Sequence, residues 1–374
     1  MNGRKWLAAL ALAGLALGGC ASAAGPSSTR QRLAVQIREL GVDPDELIYP
    51  FEPTEEMRRW VREEVASVGT PAERLDRLLR GLLTQDQPLT YDRGVTSTAA
   101  EVWETRKANC LSFTHLFVGL AREIGVPVYY LRVADLQSYE KDGDLVVASE
   151  HVTAAYGPPV ARKVLDFSAR EISPYHQTEA ISDLRALALF YSNQGADRIR
   201  TGENREALEL LETAARLDPD LADAWLNLGV AQRRMGRLRD AEASYRRALE
   251  ADPGVSSAYY NLSSLLERLG RAEEARALLE LIDRQRNRNP FSYLALGDLS
   301  LREGRIDEAG RYYRRAQRLH PDHAEPLAAL GQWAFAAGRR DDAERYLRKA
   351  RRLDPAEPRV GALDRTLHPP SQNG

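Results

Sequence analysis

The second half of the chain repeats itself every 34 residues, and this period constrains the fold more than any other feature of the sequence. Prolines recur in one register, at Pro219, Pro253, Pro321 and Pro355, with Asn287 in the missing place. Alanines keep the same spacing without a gap, at Ala207, Ala241, Ala275, Ala309 and Ala343. Glycines follow it too, at Gly195, Gly229, Gly297 and Gly331, with Ser263 standing in once. The period predicts a stack of two-helix units, because a single helical hairpin cannot bury its own apolar face.

The residue types explain how the helices of one unit pack. Small residues at the Gly and Ala positions let two antiparallel helices approach closely, while large aromatic residues fill the space between them. Each proline ends a second helix, since proline cannot continue one. The second repeat resembles the tetratricopeptide pattern at Trp225, Leu228, Gly229, Ala241, Tyr245, Ala248 and Pro253. This resemblance, in five copies, implies an all-α solenoid, which we delimit at residues 183–358, followed by a cap and tail at residues 359–374.

The resemblance also implies a peptide or protein segment as partner, held on the concave face of the repeats. Asn227 and Asn261 occupy equivalent positions on the first helices of repeats two and three, where their amides are suited to bind a peptide backbone. The alternative is that both are ordinary solvated helix residues. No position of the array suggests catalysis.

The N-terminus has the pattern of an export signal. A short basic start precedes an apolar run at residues 6–17, which is too short to cross a hydrocarbon core that requires about 20 residues. The run ends at residues 17–20 (LGGC), which resembles the lipobox of bacterial lipoproteins. The resemblance implies removal of a signal peptide at residues 1–19 and lipidation of Cys20. The alternative is an ordinary signal peptide with a chance cysteine.

A lipidated Cys20 implies a membrane partner, reached through the lipid anchor. Ala21 is not the aspartate that typically retains lipoproteins in the inner membrane, so the resemblance favours the outer membrane, facing the periplasm. Residues 20–33 contain Gly25-Pro26-Ser27-Ser28 and are predicted to form a flexible tether.

Residues 34–182 are predicted to form an α+β domain. Helices are expected at residues 54–67, 70–85, 98–106 and 110–124, where apolar residues recur at helical spacing or a capping pattern begins the run. Strands are expected at residues 126–133, 145–148, 152–156 and 164–167. Helices followed by neighbouring strands favour a largely antiparallel sheet.

Cys110 is the most informative residue of this domain. The chain has two cysteines, so assigning Cys20 to lipid leaves Cys110 without an intramolecular partner in an oxidising compartment. Its predicted place is the first turn of a helix, where free N–H groups and the helix dipole favour a thiolate. His151 begins a strand and Asp166 lies in an apolar run, so the order permits a nucleophile, a base and an orienting carboxylate.

Three segments resemble the transglutaminase-like superfamily: residues 108–113 (ANCLSF) with 120–127 (LAREIGVP), residues 151–156 (HVTAAY), and residues 164–166 (VLD). The resemblance covers roughly residues 50–175 and implies a papain-like fold that hydrolyses amide bonds or transfers acyl groups. It implies that Cys110 is the nucleophile, His151 the general base and Asp166 the orienting carboxylate.

The net charge and the spacing of possible metal ligands argue against two further kinds of function, nucleic-acid binding and metal binding. The net charge of −2 provides no basic field for nucleic acid, so no nucleic-acid partner is expected. His115 suggests a zinc site with His151 and Asp166, but no tight Cys/His pairing supports it, so neither a metal nor a cofactor is expected. Two hypotheses are left open. The chain is either a thiol-dependent amidase, protease or acyl transferase with a selecting array, or a catalytically inactive envelope scaffold.

Overall fold

The computed structural model describes residues 26–66, 69–84, 88–92, 94–142, 145–166, 177–284 and 289–369. The predicted signal peptide and the lipidation site at Cys20 lie outside these residues. In the described part of the chain, no helix is long and apolar enough to span a bilayer.

Among the described residues up to Glu123, the N-terminal half contains the α-helices α1 (Pro26–Glu39), α2 (Glu55–Glu64), α3 (Pro71–Leu83), α4 (Ala99–Thr105) and α5 (Cys110–Glu123). Threonine caps start α2, α3 and α4: the side chains of Thr54, Thr70 and Thr98 each accept a hydrogen bond from the third helical N–H. Helix α5 is the centre of this half, because every residue from Leu111 to Ala121 is buried. The predicted helices are therefore present, within a few residues of their expected ends.

Helix α1 corrects the extent of the predicted tether. It begins at Pro26, inside the segment 20–33 that composition assigns to a flexible linker. Leu33 and Ile37 are buried in the core. Proline and serine are common in linkers, but proline is also favoured in the first turn of a helix, where its missing N–H costs nothing. Because one face of α1 is buried in the core, this segment forms a helix and not a flexible linker.

A four-stranded antiparallel sheet packs beside α5. Its strands are β3 (Val128–Asp142), β4 (Leu145–Tyr156), β5 (Lys163–Leu165) and β6 (Thr178–Ile181), in the order β5-β4-β3-β6, and a two-residue parallel pair, β1 (Thr90–Tyr91) and β2 (Lys107–Ala108), lies apart. The two segments predicted at residues 145–148 and 152–156 are one strand, β4. The sequence pattern did not predict β6.

The strands β3 and β4 extend well beyond the rest of the sheet. Strand β6 pairs with β3 as far as Val133, and β5 pairs with β4 only from Ala154 onward. Past the pair Val133–His151 the register shifts, and from Ser138–Ser149 to their ends the two strands pair only with each other among the described residues. We call the paired segments 138–142 and 145–149 the hairpin arm. An isolated two-stranded hairpin is marginally stable in water, so the arm needs support from elsewhere.

From Asp183 to Leu367, every regular element in the described residues is a helix, which confirms the predicted solenoid. Its helices form five antiparallel pairs and a final single helix: α6 (Asp183–Thr201), α7 (Asn204–Leu217), α8 (Ala222–Arg234), α9 (Leu238–Ala251), α10 (Ser256–Arg268), α11 (Ala272–Arg284), α12 (Pro290–Arg302), α13 (Ile306–Leu319), α14 (Ala324–Ala336), α15 (Arg340–Leu353) and α16 (Pro358–Leu367). The register alanines are all buried. Each register proline lies two residues after the end of a second helix, as predicted.

The hydrophobic core crosses the boundary predicted at residue 182. One contiguous cluster of buried side chains runs from Leu33 through α5 and the sheet to Leu187, Phe190 and Ala224, which lie on the first repeats. The helix α6 thus belongs to the repeat array by its sequence register and to the core of the N-terminal half by its packing.

Candidate active site

Cys110 is the first residue of α5, and the preceding residue holds the helix end in place. The side chain of Asn109 accepts a hydrogen bond from the Ser112 N–H at 2.8 Å and donates one to Thr96 Oγ1 at 2.9 Å. Asn109 is buried, whereas Cys110 is a free, partly exposed thiol. The residue before the cysteine therefore caps the helix and leaves the sulfur accessible.

The side chains of His151 and Asp166 are in contact, although the two residues are distant in the sequence. His151 is in β4, and Asp166 directly follows β5. The pairing of Ala154 with Leu165 aligns these two strands. His151 Nε2 lies 3.0 Å from Asp166 Oδ1. The exposed fractions of the two side chains are 5% and 13%. A second hydrogen bond, from Thr153 Oγ1 to the carbonyl of Leu165 at 2.8 Å, fixes the same strand pair.

The third group of the site comes from α5. Burial by itself lowers the pKa of His151, but hydrogen bonds with Asp166 and Cys110, and the Coulomb attraction of both, overcome this and raise the pKa to about 9. Because Nε2 faces Asp166, the nitrogen left for the thiol is Nδ1. The structure therefore brings the three predicted residues together, with His151 between a sulfur and a carboxylate and protonated at neutral pH.

Thr114 ties the helix to the strand that bears the histidine. Its Oγ1 lies 2.7 Å from the carbonyl oxygen of Cys110 and 3.3 Å from that of Val152. These contacts join the first turn of α5 to the residue after His151. The roles of Thr114 and Asn109 were not predicted from the sequence. Their spacing from Cys110 was the one feature of the sequence that could have indicated them.

The remaining residues considered around the thiol have other roles. His115 is fully buried, and its Nδ1 lies 2.9 Å from the hydroxyl of Tyr130. Burial, together with the charge of Arg122, lowers the pKa of His115 to about 3, so it is a neutral core residue. The indole N–H of Trp103 donates a hydrogen bond to Glu56 Oε1 at 3.1 Å. Tyr91 is exposed on β1.

Asn261 binds a peptide backbone, and that backbone belongs to the same chain. Its Oδ1 accepts a hydrogen bond from the Val146 N–H at 2.9 Å, and its Nδ2 donates to the Val146 carbonyl, also at 2.9 Å. Val146 is part of the hairpin arm, and its side chain is buried in the cluster that contains Tyr259 and Tyr293. Asn227, one repeat earlier, is buried, and its Oδ1 has no hydrogen-bond partner among the described residues.

The first helices of repeats three to five carry a separate, polar cavity. It has a volume of about 90 Å³ and is lined among others by Tyr260, Ser264 and Glu267 of α10. Its far wall is an ion pair in which the Arg359 guanidinium binds both carboxylate oxygens of Asp298, at 2.8 Å and 2.5 Å. The cavity lies on the same helices as the seat of the hairpin arm, further along the array.

One group of side chains in the described part of the chain has the donor set of a metal site. Ligand atoms of His323, Glu325 and Glu357 lie within 4.8 Å of one another. Arg359 already offers a positive charge to this group, since its Nε lies 3.7 Å from Glu325 Oε1. The cluster stands in the last repeat and does not include His115, His151 or Asp166.

The comparisons with known proteins concern the helical half. Tetratricopeptide-repeat family models match residues 193–254, 230–290 and 300–365. No curated protein matches the sequence. A solved structure of a thermophilic tetratricopeptide-repeat protein from Thermus thermophilus is 22% identical, covers 48% of this chain and 98% of that chain, and has a TM-score of 0.41. For pilF of Pseudomonas aeruginosa the values are 21%, 50%, 83% and 0.43.

Proposed function

We propose that this chain, whose C-terminal half is an array of tetratricopeptide repeats and so indicates a role in protein–protein interaction, carries a thiol-dependent amide-bond enzyme in its N-terminal half. The observation that supports this is the placement of His151 between Asp166 and Cys110. We further propose that the N-terminal half belongs with the transglutaminase-like, papain-like enzymes that it resembles at Cys110, His151 and Asp166.

The proposed reaction is a covalent acyl transfer. The Cys110 thiolate attacks the amide carbonyl carbon, and the resulting oxyanion accepts a hydrogen bond from the Cys110 backbone N–H in the first turn of α5. The His151 imidazolium gives its proton to the leaving nitrogen as the C–N bond breaks, which leaves a thioester and a free amine. Neutral His151 then removes a proton from water or from a second amine as that nucleophile attacks the thioester carbon. The C–S bond breaks, which releases a carboxylic acid or a new amide and restores the Cys110 thiolate beside the His151 imidazolium.

Asp166 orients the imidazole. Its carboxylate holds Nε2, so the ring presents Nδ1 to the sulfur in every step. The carboxylate also stabilises the imidazolium form, which is the proton donor for the leaving amine. Asp166 itself transfers no proton in this scheme.

The repeat array supplies partner recognition in this proposal. The cavity next to Tyr260 and Glu267 and the ion pair of Arg359 with Asp298 provide charged and polar contacts for a peptide or protein segment. We propose that the partner binds at this cavity, on the surface formed by the first helices of repeats three to five. The neighbouring part of that surface, which contains Asn261, is covered by the hairpin arm.

We also propose the lipid anchor at Cys20, in the cell envelope and facing the periplasm. The support is the sequence alone, through the apolar run and the residues LGGC. A chain acylated at this position incorporates labelled palmitate in growing cells, and Cys20→Ser does not. Equal labelling of both chains, or of neither, would contradict the anchor.

The enzyme proposal is tested by alkylation of Cys110 with iodoacetamide, followed by peptide mass spectrometry so that Cys20 does not contribute. An ordinary thiol of pKa about 8.5 is only about 0.3% ionised at pH 6 and reacts slowly. We expect the wild-type Cys110 to react at least about ten times faster at pH 6 than the same residue in His151→Asn, with Asp166→Asn in between.

The outcome separates the two hypotheses about the chain. Equal rates in wild type and His151→Asn would show that the thiol is not activated by the histidine. The chain would then be an interaction scaffold in which Cys110, His151 and Asp166 keep their positions but catalyse no reaction. Labelling of His115→Gln provides the control for loss of a histidine elsewhere in the same core.

A further inference from the structure

We propose that the hairpin arm is an internal ligand of the repeat array, and that Asn261 is a positioning residue for His151. The proposal rests on the proposed function of the thiol site and names how that site is held together. In this view the array has two parts. Repeats two and three hold a strand of the catalytic half, and repeats three to five face the partner.

The clamp on Val146 has the form of peptide recognition. One amide side chain satisfies both the N–H and the carbonyl of a single residue, each at 2.9 Å. Asn261 is fully buried, and the Val146 side chain is fully buried too. If the contact breaks, four buried polar groups are either exposed to water or left without a hydrogen-bond partner: the N–H and carbonyl of Val146, and Oδ1 and Nδ2 of Asn261. The state in which Val146 is bound to Asn261 is therefore strongly preferred over one in which the contact is only partly made.

The clamp acts on the strand that carries the histidine. Val146 and His151 lie five residues apart in β4. On the other side of His151 the sheet holds β4 firmly, through β5 from Ala154 onward. His151 therefore stands where a four-stranded sheet narrows into a two-stranded arm, with the sheet on one side and Asn261 on the other. Without the two hydrogen bonds of Asn261, this end of β4 keeps its pairing with β3 and the burial of the Val146 side chain, but no polar contact of Val146 with the array remains among the described residues.

A second contact ties the array to the thiol. Asp197 on α6 accepts a hydrogen bond from the Thr96 N–H at 2.8 Å, and Gln194 on the same helix donates to the Thr96 carbonyl at 3.2 Å. Thr96 in turn accepts from Asn109, which caps the helix of Cys110. Repeat one thus braces the cysteine through Thr96, and repeat three braces the histidine through Val146.

Partners that resemble Val146 are expected to compete with the hairpin arm. An extended segment with an apolar side chain and a free backbone N–H and carbonyl is chemically equivalent to Val146, so it competes for Asn261. Its binding releases the arm and lowers the reactivity of Cys110. A partner that binds only the cavity of repeats three to five leaves the reactivity unchanged.

The test compares two buried asparagines in the full-length chain. Asn261→Ala removes the two bonds to the arm. Asn289→Ala is the matched control, because Asn289 is equally buried and bonds Ser257 Oγ and the Phe291 N–H, both inside the array. Three quantities are measured in each: amide hydrogen exchange of Val146, the NMR titration of His151, and alkylation of Cys110 at pH 6.

For Asn261→Ala we expect at least about tenfold faster exchange at Val146, since each lost bond shifts the seated population several-fold. We also expect a His151 titration midpoint below the wild-type value and an alkylation rate that approaches that of His151→Asn. Asn289→Ala should match wild type in all three. Unchanged exchange, or faster exchange with an unchanged His151 titration, would overturn the proposal. If wild-type Cys110 is not activated but the titration still moves, the proposed function fails and the positioning stands.

Discussion

At the scale of the residue, the thiol site depends on side chains that take no part in the proposed chemistry. Asn109 caps α5 and reaches Thr96, and Thr114 contacts the carbonyls of Cys110 and Val152. The Asn109 side chain satisfies one of the free N–H groups at the start of α5, whereas the Thr114 hydroxyl lies against the carbonyl four residues earlier in the same helix and against a strand carbonyl. They fix where the sulfur lies relative to the strand of His151.

The raised pKa of His151 makes the stability of the fold depend on pH. The group titrates near 6.5 when unfolded and near 9 in the folded chain. Its contribution to stability is therefore fully present below pH 6.5, declines as pH rises and is lost above about pH 9. We expect the free energy of unfolding of wild type, measured relative to His151→Asn by urea titration, to fall between pH 6.5 and 9.5.

The same experiment on Asp166→Asn is the control for this prediction. Asp166 provides the strongest of the contacts that raise the pKa of His151, so its replacement should move the decline toward lower pH. A difference between wild type and His151→Asn that is flat across this range would show that His151 is not held as an imidazolium.

At the scale of the element, each repeat depends on a small residue that faces a large one. A Cβ placed on Gly229 would lie 2.5 Å from the Tyr245 ring, and one on Gly297 would lie 2.3 Å from the Tyr313 ring. In these two units the helices are therefore closer than a side chain at the glycine position would allow. Repeat three uses another combination in the same register, with Ser263 at the small position and Leu279 in place of tyrosine.

This combination predicts a compensating pair of substitutions. Gly229→Ala should destabilise the chain by about 1–3 kcal/mol, because the added methyl group overlaps the Tyr245 ring. Tyr245→Leu removes the ring and copies the partner found in repeat three. The double variant should be more stable than the sum of the two single effects, as measured by chemical unfolding. Additive effects would contradict the proposed steric contact.

At the scale of the whole molecule, the two halves share one core. Buried residues of the first repeats, among them Leu187, Phe190 and Leu217, belong to the same cluster as the helices and sheet of the N-terminal half. Arg122 at the end of α5 adds an ion pair to Asp183 at the start of α6, at 2.7 Å. The array is therefore part of the body that holds the thiol site.

The shared core predicts how the chain tolerates truncation. A chain that ends at Ser182 loses its packing partners on α6 to α8 and exposes apolar surface, so we expect no cooperative thermal transition. A chain that ends at Asp252 keeps these helices and should unfold cooperatively. Near-ultraviolet circular dichroism measures both. Cooperative unfolding of the shorter chain at the wild-type temperature would show that the halves are independent.

Much of the architecture is readable from the sequence because it is local. The register of Ala207 to Ala343 predicts the helical pairs, and Thr54, Thr70 and Thr98 mark helix starts through contacts only three residues away. The type and order of Cys110, His151 and Asp166 predict a candidate site. The strand segment 138–142 of the hairpin arm, its pairing with 145–149, and β6 were not predicted, because strand pairing depends on partners distant in the sequence.

The repeat solenoid, the helix ends and the candidate residues of a thiol site could all be predicted from short-range periodicity or residue type. The contacts between distant residues required the three-dimensional fold. It placed Asn261 on Val146, 115 residues away, and carried one core across residue 182. Such contacts depend on how a hairpin and a helical stack pack against each other. That packing is set by the summed burial of many side chains, and no single segment encodes it.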